Sequence, residues 1–279
     1  MDNPSQIDPR SPHQSDLTRA IKSLGRTFVY TVAKSVWRQK NVAVVLTYHS
    51  ISNAPLFGTV RPTAFAQQMR YLAQKKFNVV SLAQLDEYRA QGSIPPKTVA
   101  ITFDDGYRDN LENAIPLLKQ YGFPATIFVT TSLIGRSFDR HGVAFPMLSE
   151  QELKELQQEG LINIEPHTVS HKRLTKIDLA EAKEEMRASK EVIERLLGLP
   201  RERFAYPYGS QNPAIRDCAA ALGITSAYAT REGFVYPNSK PHLLHRNGIN
   251  ATMSLAQFAG VARVGLISRR RLLGKVPQN

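Results

Sequence analysis

From residue 42 onward, short apolar runs alternate with segments of helical spacing, and this restricts the chain to a parallel α/β architecture. The run at 42–47 (VAVVLT) is hydrophobic on both faces, as a buried parallel strand must be. Similar runs fall at 77–80, 98–103 (TVAITF), 125–129, 161–165, 204–206 and 224–229. Between them lie helical stretches. Residues 62–75 carry Phe65, Met69 and Leu72 on one face, and a helix capped by Ser81 stops at Gly92. The next helix runs to Gly122 and is interrupted by Pro116. Ser149 and Glu152 form a capping-box pair ahead of a helix ending at Gly160. Asp178 and Glu181 open a long helix with the stripe Leu179, Ala182, Met186, Ile193 and Leu197, closed by Gly198; a further helix covers 213–222. About seven strand–helix units with short connections predict one domain, and a closed barrel in preference to an open sheet.

Hydrophobic residues at 42 % and charged residues at 22 % exclude general disorder. No apolar run approaches the roughly 18–20 residues of a membrane-spanning helix. A single cysteine, Cys218, excludes an internal disulfide framework and a multi-cysteine zinc cluster, so a metal would need His, Asp or Glu; Cys218 is expected as a small core residue. The net charge is +12, and it belongs to the ends. Residues 17–40 carry Arg19, Lys22, Arg26, Lys34, Arg38 and Lys40 without an acid, and 260–279 carry Arg263, Arg269, Arg270, Arg271 and Lys275 without an acid. The expected organisation is therefore a disordered tail plus basic amphipathic helix at 1–40, anchored by Trp37, a barrel domain at 41–259 and a basic C-terminal tail at 260–279. The N-terminal helix either packs on the barrel or rests on an anionic membrane surface. Met1 to Ser15 lacks a secretory h-region, so the expected location is cytoplasmic or peripheral on the inner membrane face. Nucleic-acid binding is disfavoured, because the basic residues do not interleave with aromatics and no recognition motif accompanies them.

In a parallel α/β barrel, chemistry gathers where strands run into loops. The strand ends read Thr47-Tyr48-His49, Phe103-Asp104-Asp105-Gly106, Glu165-Pro166-His167-Thr168-Val169-Ser170-His171 and Ala205-Tyr206-Pro207-Tyr208-Gly209. All four should share one rim. Two adjacent carboxylates inside a strand would face opposite sides, but Gly106 permits a turn that brings both to the rim. His167 and His171, four apart, can present both imidazoles to one point from a helical turn or a tight loop. Two imidazoles and a carboxylate are a common set of protein ligands for a divalent metal.

Thr102-Phe103-Asp104-Asp105-Gly106 together with His167-Thr168-Val169-Ser170-His171 resembles the polysaccharide deacetylase family (NodB homology, carbohydrate esterase 4). Phe204-Ala205-Tyr206-Pro207-Tyr208-Gly209 is similar to its third motif, in the form found among poly-N-acetylglucosamine deacetylases. The likeness spans roughly 42 to 249 and implies a distorted (β/α)7 barrel. It implies that Asp105, His167 and His171 bind a divalent ion, Zn2+ foremost, with Co2+, Ni2+ or Fe2+ as alternatives. Asp104 would be the general base, and the Tyr208 main-chain N–H would face the oxyanion. His49, from the first strand, would be the general acid, with His245 of Leu243-Leu244-His245 as the competing match. The family's usual Arg two residues before the motif-three proline is Ala205 here, and Arg246 is the candidate replacement partner for Asp104. Glu165 is either an acceptor for an imidazole N–H or merely a charged loop residue.

The implied reaction is hydrolysis of N-acetyl groups on an N-acetylhexosamine polysaccharide, oligosaccharide or glycolipid. The alternative is an inactive barrel that binds glycan or membrane. Tyr48, Tyr107, Tyr206, Tyr208 and Phe57 adjoin the motifs and serve either sugar stacking or core packing.

Overall fold

The structure is a computed structural model and describes residues 41–265. The expected N-terminal tail and helix with Trp37, and the basic residues from 266 onward, lie outside the described residues. The strands are β1 (Ala43–Tyr48), β2 (Asn78–Val80), β3 (Thr98–Phe103), β4 (Ala125–Val129), β5 (Ser137–Arg140), β6 (Val143–Pro146), β7 (Ile162–Pro166), β8 (Arg203–Ala205), β9 (Ser226–Ala229), β10 (Leu244–His245) and β11 (Asn247–Gly248). The helices are α1 (Pro62–Gln74), α2 (Leu82–Ala90), α3 (Asp109–Asn113), α4 (Ile115–Tyr121), α5 (Glu150–Gln158), α6 (Leu179–Leu197), α7 (Pro213–Ala221) and α8 (Leu255–Val264).

Local chemistry fixes the helix starts. Ser81 accepts from Gln84 N, Ser149 and Glu152 close a full capping box, and Asp178 accepts from Glu181 N. Gly198 ends α6 in the left-handed conformation, with φ 69°. No helix among the described residues is long and apolar enough to cross a membrane. The boundary expected at 259 falls inside α8, because Phe258, Val261 and Ala262 are buried in the main core cluster. Cys218 is only half-buried on α7, not enclosed in the core.

The wall is parallel throughout. One sheet runs β11-β1-β3-β4-β7, with β2 against β3; the other runs β10-β9-β8. The strand β10 pairs with β9 and, after Arg246, β11 pairs with β1, so one short segment carries the wall from sheet to sheet. Counting that segment once, the staves are β1, β3, β4, β7, β8, β9 and β10–β11, the mixed α/β plan of a distorted seven-stave barrel. No ladder pairing joins β7 to β8 among the described residues, so the ring is hydrogen-bonded on all sides but one.

Side-chain alternation separates inside from outside. Ala43, Val45, Ala100, Phe128, Ala205, Tyr228 and Leu244, drawn from both sheets, form one buried cluster that fills the interior. Their neighbours Val44, Leu46, Val99, Ile101, Ile127, Ile162 and Ile164 pack outward against Phe65, Met69 and Leu72 of α1 and other helical residues. Tyr48, Tyr107 and Tyr206 are fully buried and belong to the packing, whereas Phe57 and Tyr208 are exposed.

Candidate active site

Continuing the interior parity upward places the site. From Val45 it reaches Thr47 and His49; from Ala100, Thr102 and Asp104; from Glu165, His167; from Leu244, Arg246. Because the strands are parallel, His49, Asp104, His167 and Arg246 meet at one rim. His245 falls on the opposite parity from Arg246, within β10.

Asp105 has the wrong parity for the interior, and it reaches the site by a left-handed turn. The expectation assigned that turn to Gly106; in the structure Asp105 itself takes φ 73° as well, followed by Gly106 at φ 89°. Thr168, His171 and Tyr208 are also left-handed, at φ 65°, 57° and 57°. A non-glycine residue in this region costs about 1–2 kcal/mol, so four together are held there by their surroundings. Strain of this kind concentrates where geometry is set by function.

The ligand atoms of Asp105, His167 and His171 lie within 4.8 Å of one another. His171 Nε2 is 3.2 Å and His167 Nε2 3.7 Å from Asp105 Oδ1. That oxygen is buried yet has no partner in hydrogen-bond geometry. His167 Nδ1 donates to the carbonyl of Ala205 at 2.7 Å, which fixes the proton on Nδ1 and leaves Nε2 free to ligate. Burial drives His167 down to about 4, so its ring is neutral at ordinary pH. Burial alone would raise Asp105, but the His171 ring facing it outweighs that and holds the carboxyl well below its usual range. A neutral imidazole, an ionised carboxylate and an orphaned oxygen facing both rings fit a divalent cation.

His167 and His171 belong to a tight loop, one of the two geometries their spacing allowed. Glu185 of α6, nearly buried, accepts from Val169 N and Ser170 N at 2.9 Å each, and also from Ser170 Oγ. His171 N donates to Thr168 Oγ1 at 3.0 Å. Sequence reasoning missed Glu185, since nothing local marks one acid on the face of an acidic helix as a loop clamp.

Asp104 is 2 % and Arg246 1 % exposed. Arg246 forks onto it, Nη1 to Oδ1 at 2.6 Å and Nη2 to Oδ2 at 2.8 Å. Burial pushes the Asp104 carboxyl up, but the Arg246 guanidinium outweighs it and brings it below its usual value. His49 is half-buried at the end of β1. Tyr208 stands in the tight turn after β8, its ring centre 4.6 Å from that of His171.

Glu165 makes no hydrogen bond to either imidazole. It is 3 % exposed and faces Arg203 across the open edge between β7 and β8. That edge is stitched by side chains: Arg201 Nη1 to Ile164 O at 2.8 Å, Arg203 Nη1 to Glu165 Oε1 at 3.6 Å, and His167 to Ala205 O. Burial lifts Glu165 to about 7 against the pull of Arg203 and Arg201. Arg201→Met would orphan the carbonyl of Ile164, and urea unfolding should show a loss of about 1–3 kcal/mol.

Residues 91–227 match the family model described as polysaccharide deacetylase. YxkH of Bacillus subtilis, a protein named for the same activity, is 31 % identical over 215 residues, covering 77 % of this chain and 74 % of its own. The chain belongs to the polysaccharide deacetylase family. As a polysaccharide deacetylase it hydrolyses N-acetyl amide bonds in carbohydrates. The poly-beta-1,6-N-acetyl-D-glucosamine N-deacetylase of Staphylococcus aureus is 27 % identical over 236 residues, 76 % of this chain and 80 % of that protein. Among solved structures, the Streptococcus pyogenes deacetylase PplD in complex with acetate superposes with TM-score 0.69 at 27 % identity, covering 79 % of this chain and 98 % of that one.

Proposed function

We propose that this deacetylase removes N-acetyl groups from a poly-N-acetylhexosamine chain of the β-1,6-N-acetylglucosamine type, with a divalent cation held by Asp105, His167 and His171. The observation that carries the reading is the convergence of those three ligand atoms within 4.8 Å, beside a carboxylate fixed by a guanidinium fork. When bound, the cation supplies Lewis acidity that lowers the pKa of a water from about 15.7 to roughly 7–9. Asp104 takes the proton of the attacking water. Arg246 keeps that carboxylate ionised and aimed, the place Ala205 leaves vacant, which argues against an inactive barrel. The Tyr208 N–H meets the developing oxyanion, a donor typically worth about 3 kcal/mol. His49 gives its proton to the departing amine, without which the tetrahedral species returns to amide.

The test is acetate release from N-acetylated β-1,6-glucosamine oligomers. Exhaustive chelation should abolish release, and Zn2+, Co2+ or Ni2+ should restore it. Undiminished turnover by protein that metal analysis shows to be stripped would refute the metal assignment.

A further inference from the structure

Arg140 and Arg173 flank the site, and neither has an acidic partner among the described residues. Arg140, at the end of β5, is half-buried, and its Nη1 donates to the hydroxyl of fully buried Tyr107 at 3.3 Å. Tyr107 lies two residues beyond Asp105. The backbone at Gly58 lies against the guanidinium so closely that a Cβ there would come within 2.8 Å of Nη1. The charge of Arg140 is felt at His171. Arg173, two residues beyond His171, lays its guanidinium 3.8 Å from the centre of the Tyr208 ring, which itself packs against His171. Each guanidinium is thus one side chain removed from a residue of the proposed cation site.

Their neighbours are different. Arg246 is paired with Asp104, Arg203 with Asp86 and Glu165, Arg108 with Glu112 and Glu152, and Lys172 with Glu181. Neither Arg140 nor Arg173 forms an ion pair among the described residues. Arg140, partly desolvated and without an anion, is costly to keep, and the planar fork of either arginine matches carboxylate and phosphate. Tyr208, 51 % exposed, lies against Arg173, and Phe57, 71 % exposed, adjoins Gly58 in sequence; both are aromatic faces on which sugars can lie.

We propose that Arg140 and Arg173 form a subsite for an anionic group, a carboxylate or a phosphate, carried by the sugar next to the one being deacetylated. The inference rests on the reading above that the acetamide sits at Asp105, His167 and His171, and it narrows the β-1,6-N-acetylglucosamine-type chain to one in which some sugars carry an acidic substituent. It has a second consequence, because the reaction converts a neutral acetamide into an ammonium. A neighbouring sugar already deacetylated brings like charge to the arginines, so consecutive cleavage along a chain is disfavoured.

The experiment uses trisaccharides with a central N-acetylglucosamine flanked by glucuronate, glucose 6-phosphate, N-acetylglucosamine or glucosamine. The wild type should rank kcat/KM as anionic above neutral above amine, with steps of about threefold to tenfold that shrink in high salt. Arg140→Gln and Arg173→Gln should flatten the ranking, and the Lys variants should retain most of it. Arg173 is exposed, so Arg173→Gln alone keeps the test valid if the Arg140 variant fails to fold. Equal kcat/KM for all flanks, or a ranking that survives both Gln substitutions, overturns the subsite. Absence of acetate from every substrate overturns the deacetylase mechanism instead, so the two failures are distinguishable.

Discussion

Asp104→Asn should lower kcat for acetate release by about 100- to 10,000-fold while cation binding persists, the range expected when a general base is removed. Asn has nearly the shape of Asp, so the interior position at the end of β3 is kept. It cannot take a proton from the attacking water, and its NH2 would face one arm of the Arg246 fork now occupied at 2.6 and 2.8 Å. The proposed ligands Asp105, His167 and His171 are untouched. Cobalt loaded into the variant should therefore give a visible spectrum close to that of wild type, with KM changed little. Such a split separates a proton acceptor from a fourth ligand: loss of a ligand would change the spectrum together with kcat. A variant retaining a third or more of wild-type kcat would remove Asp104 from the base role.

What could be read beforehand was whatever short-range chemistry decides. The caps at Ser81, Ser149 and Asp178 and the doubly apolar run of β3 are written in neighbouring residues, and each appears where its spacing put it. The rim location of Asp104, His167 and His49 also followed, since parity along a strand is a property of the chain alone. The hairpin β5–β6 did not stand out, because SFDR and VAFP are too short and too exposed to show an alternating pattern. The two-residue strands β10 and β11 gave no periodic signal at all. The side-chain stitching at the β7–β8 edge was not legible, because pairing there depends on the register of elements nearly forty residues apart. The acceptor for His167 is the carbonyl of Ala205 rather than Glu165, and a backbone oxygen carries no residue-specific mark.

Arg246→Met should destabilise the metal-free protein by about 3–5 kcal/mol, the cost typical of stranding one member of a buried ion pair. Asp104 is almost fully enclosed, and Arg246 is its bidentate partner. Methionine fills much of the stem volume and can still lie against Phe128, 5.3 Å from the guanidinium carbon, so the loss reports the charge and not a cavity. Urea unfolding of the two single variants and of Asp104→Asn/Arg246→Met closes a double-mutant cycle. The double variant should be more stable than Arg246→Met alone, because it no longer buries an uncompensated carboxylate. Additive losses, with no recovery in the double variant, would mean that Arg246 stabilises the wall between β10 and β11 without serving Asp104. Since β10 and β11 carry the wall from one sheet to the other, the cycle decides whether this arginine is there for the acid or for the barrel.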